Sequence, residues 1–333
     1  MRRIATLLCV TVTLCVPAGC RTSGGGGGGR ELLVVDFKPD TTMRYKLTSQ
    51  RDITLELKSD NPKMQGKNKP QTMSEKLELV IAYSPVEVDP FGITTIEGKC
   101  ESAKVTRKSF TARAAPKDAV EHLVGRTFTI QLSPTGKIAD YSSLTEVVRQ
   151  LGAKAFATNT AGKQKVKNPD MIYDFIAMQW YLWDSVATIE KPLKGVEKGT
   201  SWKTTQLVPL PIPIVPTRRT TYTFDEVAET PDGRKAVINS TYTLSDEKPA
   251  NWPKPYTGRF AMKGMFGFLR NYKHQSLAGQ GKQVFNIDTG TVESDQQQYK
   301  MIITAAFMIP LGDSSPIITI DQKISVELLD NKR

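Results

Sequence analysis

Few side chains in this sequence could do covalent chemistry. The chain has four cysteines and two histidines. Cys9, Cys15 and Cys20 fall within the first twenty residues, so Cys100 stands alone further on. A lone cysteine closes no intrachain disulfide. To act as a nucleophile it needs a base nearby, and the only imidazoles are His122 and His274. Each histidine reads as a surface side chain, and Cys100, in the alternating stretch Gly92 to Thr106, reads as pointing inward. Gly-x-Ser-x-Gly, His-Glu-x-x-His, P-loop and Cys-x-x-Cys patterns are all missing from the sequence. The dinucleotide-like spacing Gly24-x-Gly26-x-x-Gly29 follows no strand and opens no helix, so it carries no weight. A pair of carboxylates for glycoside hydrolysis stays open, because distance along a chain does not set distance in space. No pair stands out. The reading is therefore non-enzymatic, with no catalytic residue, no metal ligands and no cofactor.

Cys20 differs because of its neighbours. Arg2 and Arg3 precede an uncharged apolar run, Ile4 to Val16, which Pro17-Ala18-Gly19 ends just before Cys20. A basic start, a short apolar stretch and small residues make a secretory signal peptide. The run is too short for a transmembrane helix, which needs about 20 residues. It resembles the signal peptide of bacterial lipoproteins, although Pro17 stands where that family usually has Leu. The resemblance implies cleavage after Gly19 and lipidation of Cys20, with palmitate-type acyl chains holding the protein to a membrane. Arg21 in place of Asp implies, by the same analogy, an outer-membrane address facing the periplasm. Residues 1–19 are then the signal, and 20–30 a tether containing the six-glycine run Gly24 to Gly29. Such a linker is a flexible coil with a reach on the order of 15–20 Å.

Residues 31–333 form the globular part. Removing Arg2 and Arg3 with the signal lowers the formal net charge from +11 to +9. The excess is scattered, and no basic-aromatic module for nucleic acid is visible. Glu31 to Leu57, Glu75 to Tyr83 and Gly92 to Thr106 alternate apolar and polar residues, as half-buried strands do. Pro116 to Val124 reads as a short helix closed by Gly125, and Arg126 to Tyr141 as a hairpin turning at Ser133 to Gly136. Ser143 to Glu146 reads as a capping box opening a helix with Leu144, Val147, Val148 and Leu151 on one face, which Gly152 ends or weakens. Asn168-Pro169-Asp170 reads as the start of a second helix reaching Ile189. That helix is apolar nearly all round, so it must be enclosed. Its Phe175, Trp180 and Trp183 are the candidates for facing an apolar ligand. From Arg218 onward the pattern is strand upon strand, with turns at Pro231 to Gly233 and Asp288 to Gly290.

Lys198-Gly199-Thr200-Ser201-Trp202 opens a strand behind Pro192-Leu193. Together with the hairpins around Phe128 to Ile138 and Phe285 to Val292, it resembles an uncharacterised family of β-rich bacterial envelope lipoproteins, a domain of unknown function. That resemblance supplies no site residues.

The fold expected is mainly β: one large curved antiparallel sheet or half-barrel with two central helices on one face. The alternative is two sandwich-like halves, 31–141 and 199–333, joined by the helical segment 142–190. Expected partners are the membrane through the lipid, an apolar small molecule or lipid, and an envelope protein or glycan, but no nucleic acid. The favoured function is an anchored envelope lipoprotein that binds something apolar or serves in assembly. The alternatives are a carboxylate-pair hydrolase and a binder of anionic glycan. Cys20→Ser should move the protein from the membrane pellet to the soluble fraction, since acyl chains and not the fold hold it there. Retention of the mutant after a high-salt wash contradicts the anchor.

Overall fold

The alternating segments become strands long enough to cross a whole domain. The computed structural model describes residues 29–58, 69–108, 117–157, 164–166, 170–211, 215–248, 252–256, 260–262, 265–307 and 315–332. The expected signal segment, 1–19, and Cys20 lie outside the described residues, as do Asn168 and Pro169. In chain order the first strands are β1 (Thr42–Lys58), β2 (Gln71–Val88), β3 (Thr94–Lys108), β4 (Thr127–Leu132) and β5 (Ile138–Asp140). Helix α1 (Ser142–Ala155), the short β6 (Phe156–Ala157) and β7 (Gln164–Val166), and helix α2 (Ile172–Ala187) follow. The chain ends with β8 (Ser201–Leu207), β9 (Thr217–Thr230), β10 (Gly233–Ser245), β11 (Phe260–Met262), β12 (Leu269–Asn286), β13 (Thr291–Phe307) and β14 (Ser315–Lys332).

Eleven of these strands form one antiparallel sheet in the order β5-β4-β3-β2-β1-β14-β13-β12-β10-β9-β8. It is a meander whose two ends meet in its middle. β1 and β14 pair from Thr42 opposite Lys332 to Lys58 opposite Ser315, so the first and last long strands sit side by side. The expected halves are thus continuous with each other through this pair. The sheet does not close: its edges are the short strands β5 and β8. β6, β7 and β11 make a separate three-stranded sheet; β11 falls in a stretch that reads as strand, Tyr256 to Met262, whereas β7 falls in one that reads as a basic loop.

One face of the sheet is apolar and carries the core. Leu47, Ile53, Leu79, Ile81, Ile320 and Met301 are all at or near zero exposure on that side. α2 lies on it, with Phe175, Ile176, Met178, Leu182 and Val186 fully or almost fully buried. The apolar circumference read from the sequence is therefore enclosed, as burial of that much hydrocarbon requires. α1 packs Leu144, Val148 and Leu151 into the same core.

Three local expectations shift. α1 begins at Ser142, so Ser143 lies inside it and does not cap it. The Ser143 hydroxyl instead accepts the β4 amide of Thr129 at 3.1 Å, and Glu146 pairs with Arg149. Gly152 does not end α1, because a Cβ there would fall 1.7 Å from the Pro255 carbonyl oxygen: the glycine lets that segment touch the helix. α2 begins at Ile172, later than the Asn168 start expected, and the Asp170 carboxylate accepts the Ile172 amide at 3.0 Å. β12 runs unbroken through Gly279-Gln280-Gly281. At Gly279 a Cβ would meet the Tyr299 backbone and Cβ within 2.5 Å, so the missing side chain admits Tyr299.

Buried charge ties the helix to the sheet. Arg51 on β1 is fully buried and bonds Glu75 of β2 at 2.7 Å and Asp174 of α2 at 3.0 Å. Glu75 also accepts Arg107 of β3 at 2.7 Å, and Arg107 pairs in turn with Asp118. Asp118 caps a 3-10 turn, Ala119–Leu123, which is the short helix expected before Gly125. Burial alone would neutralise Asp174, and it raises that carboxyl even beside Arg51; the two arginines hold Glu75 below its usual range. Removing one member of such a cluster strands a charge. Asp174→Ala should cost about 3–5 kcal/mol, read as a fall in the urea midpoint. Glu101→Ala, which breaks the half-exposed Arg44–Glu101 pair, should cost about 1 kcal/mol or less.

Candidate functional site

The open seam of the sheet is where the chain leaves a cleft. β5 and β8, the unpaired edges, face each other across α2. A predominantly apolar cleft of about 300 Å³ lies there, lined by Gly136 to Ile138, by α2, by Thr204 to Gln206 of β8 and by Trp252. The α2 lining is Trp180, Trp183, Asp184, Ala187 and Thr188. These stand at i, i+3, i+4, i+7 and i+8, so they form one stripe of the helix. The remaining circumference is held by the sheet.

Three clamps set that rotation. Asp174 is fixed by Arg51, and Ser49 donates to it at 2.6 Å. About two turns on from Asp174, Tyr181 lies under the buried guanidinium of Arg218, whose carbon is 4.3 Å from its ring centre. Tyr242 and Tyr299 approach the same guanidinium at 4.1 and 5.2 Å. Arg218 also donates to Gln206 at 2.8 Å and to Gln297 at 2.6 Å. Near the helix end, Trp202 of β8 donates to the Ser185 carbonyl at 2.8 Å. With positions 174, 181 and 185 bound to the sheet, positions 180, 184, 187 and 188 are left for the seam.

Trp180 is half-buried between two aromatic neighbours. Its ring centre is 5.2 Å from Tyr141, edge to face, and 5.3 Å from Trp252. Such spacing is the usual one for attractive ring pairs. Trp183 lies deeper, with Phe37 at 5.7 Å and Tyr83 at 5.5 Å, and its buried indole N–H has no acceptor among the described residues. Phe175, the third candidate, is not at the cleft: it packs on Phe128 in the core at 5.8 Å. Three residues that the sequence did not single out are present: Trp252, Asp184 and Gln206. Asp184 accepts Gln206 at 2.7 Å and Tyr222 at 3.0 Å. Its periodicity places it beside Trp180 and Trp183, which was the available signal, whereas nothing in Asn251-Trp252-Pro253 points back to α2.

Neither histidine lines the cleft. His122 is exposed; His274, expected at the surface, is half-buried on β12, and burial lowers its pKa. Cys100 is buried as expected, and burial pushes its thiol up to about 12, far from reactive. Among the described residues no cluster of three or more His, Cys, Asp or Glu could hold a metal ion. No helix there is long and apolar enough to cross a membrane.

A second depression, a trough of about 880 Å³, lies on the opposite, outward face of the central strands. Strand pairing builds it from two rows: Gln50, Lys323, Gln298, Gln280, Thr241, and Thr48, Ser325, Gln296, Lys282, Asn239. None of the ten is an acid. Apart from Asn239, which donates to Asp225, none makes a side-chain hydrogen bond to another described residue.

Besides Asp174, burial raises three aspartates: Asp184 and Asp295 up to about 6 and Asp170, beside Asp118, up to about 7. Each binds its proton more tightly folded than unfolded, so their effect on stability is most favourable below the unfolded carboxylate range and is lost as pH rises through 6 to 7. Glu75, which is lowered, works oppositely, but only below its ordinary pKa. The melting temperature should therefore fall by a few degrees from pH 5 to pH 8, and Asp184→Asn should flatten that fall. A melting temperature that climbs across this window contradicts the assignment.

The chain matches the family of unknown function DUF6263 over residues 93–291, from the start of β3 to the first residue of β13. No curated protein matches it.

Proposed function

The chain belongs to the family of unknown function DUF6263, and from that premise we propose that it is a lipid-anchored, non-enzymatic envelope protein that holds an apolar ligand in the seam cleft. The observation that carries this reading is the α2 stripe. Trp180 and Trp183, with Trp252 above, present a tryptophan-lined wall in a concave space instead of closing it. The volume is at the lower end for small-molecule pockets, which run about 300–1,000 Å³. It suits a single ring system or a stretch of one acyl chain, not a whole diacyl lipid. Polar groups are few and grouped: Asp184 with Gln206, the hydroxyls of Thr188, Thr204 and Thr205, and Lys137. They would orient the polar end of a mainly hydrocarbon ligand. A hydrolase acting through two carboxylates finds less support here, because among the described residues of the lining Asp184 is the one carboxylate.

The outward trough favours a second reading, a hydroxyl-rich glycan with anionic groups. Ten neutral or cationic hydrogen-bonding side chains, two of them lysines, stand there without a carboxylate.

Titrating the detergent-solubilised full-length protein with an apolar naphthylamine dye tests the cleft. Saturable binding is expected, with displacement by a medium-chain fatty acid and a ligand-induced rise in melting temperature. Trp180→Ala should weaken the dye about tenfold or more, since losing one large aromatic contact is worth over 1.4 kcal/mol. A folded protein that binds no dye saturably removes the apolar-ligand reading. Binding of a sulfated glycan with the dye site untouched favours the trough.

A further inference from the structure

One end of the half-barrel collects exposed hydrocarbon. The segment Gly29 to Thr41 runs across that end before entering β1. Its side chains alternate: Leu33, Val35 and Phe37 are buried, while Leu32 and Val34 are 53% and 43% exposed. Glu31 and Val196 exchange backbone hydrogen bonds of 2.8 Å, which puts the 3-10 turn Pro192–Lys194 beside the point where the tether leaves. Leu193 on that turn is 93% exposed.

The rest of the rim is continuous with these residues. Val35 lies against Gly136 of the β4–β5 turn, and Pro134 of that turn lies against Gly92 of the β2–β3 turn. Asp36 donates to the Gly290 carbonyl of the β12–β13 turn at 3.1 Å. The β2–β3 turn is held rigid by Asp89, whose carboxylate accepts the amides of Phe91 and Ile93 at 2.8 Å each. Phe91 is thereby held outward, 84% exposed, with Val86 and Val88 behind it at 64% and 48%. Nine large apolar side chains are exposed among the described residues, and six of them belong to this rim. Scattered single apolar residues need no explanation, but a group gathered at one end does.

We infer that this rim docks on the lipid bilayer that carries the anchor. The inference rests on the lipid-anchor reading above. The tether, Cys20 to Gly29, leaves from this same end, and its reach of about 15–20 Å holds the rim at headgroup depth. The rim arginines Arg30 and Arg234 are paired with Glu197, Glu31 and Asp288 at 3.0 to 3.7 Å, while Lys38, Lys137, Lys191 and Lys194 stand exposed on the same segments. Docking is then led by hydrocarbon and, on neutral lipid, largely indifferent to salt, and the lysines add attraction to anionic lipid. The acyl chains hold the protein on the membrane, and the rim sets how it sits there. They also orient the half-barrel with its strands rising from the bilayer.

The test uses full-length lipidated protein in phosphatidylcholine vesicles. Nitroxide labels are placed one at a time at Phe91→Cys, at Leu193→Cys, and at Phe268→Cys, an exposed site at the opposite end of the strands. Collision with oxygen, which enters the bilayer, is compared with collision with a water-soluble nickel complex. Labels at 91 and 193 should favour oxygen and be shielded from nickel, at low and high salt alike, whereas the label at 268 should favour nickel. Adding Phe91→Asp to the Leu193→Cys protein should restore nickel collisions at 193. If both ends meet nickel equally while the protein stays on the vesicles, rim docking is overturned with the anchor intact. If the protein leaves the vesicles, the anchor reading fails and the docking falls with it.

Discussion

Arg51 is the constraint on which the rest of the arrangement depends. A guanidinium fully removed from water needs carboxylates, and it finds one on the neighbouring strand and one on α2. Such a cluster adds little net stability, because desolvation offsets most of the attraction. Its effect is positional. A slip of α2 by one turn, about 5.4 Å, would carry Asp174 away and leave Arg51 buried and underpaired. The helix therefore has one depth and one rotation on the sheet. Arg218 repeats the device at the other side with tyrosine rings and amides in place of carboxylates. The inner face of this sheet is thus apolar at its ends and polar across its middle, where both arginines sit.

That rotation is what makes the seam a cleft. If the helix turned its tryptophans into the sheet, the edges β5 and β8 would face a polar stripe. Held as it is, α2 offers Trp180 and Trp183 to the gap that the unclosed sheet leaves. The gap itself follows from topology. β1 and β14 join the two ends of the meander in the centre, so the free edges are strands from the middle of the chain, flanking the helices. The same topology brings the segment Gly29 to Thr41, the β2–β3 turn and the β12–β13 turn to one end, where Leu193 and Phe91 stand out.

Several features were legible before the structure. Strand alternation, the glycine turns at Gly136, Gly233 and Gly290, the buried Cys100 and the enclosed second helix all follow from local rules of periodicity and backbone conformation. The half-barrel with two helices was the favoured architecture, and the sheet is of that kind. Ser143 was misread because a capping pattern depends on a boundary that one residue can shift.

The sequence by itself determined the element types, the enclosure of α2, the signal-like first segment and the pairing of Trp180 with Trp183 on one helix face. These depend on residues a few positions apart, where backbone geometry converts spacing into direction. Only the tertiary structure decided which strands are edges, that Arg51 meets Asp174 across 123 positions, and that Phe175 goes to the core while Trp180 goes to the cleft. It also decided that Trp252 covers Trp180 and that six scattered apolar residues share a rim. Those outcomes depend on which long-range pairing buries the most hydrocarbon while leaving no buried charge alone, and that balance is settled by the whole sheet at once.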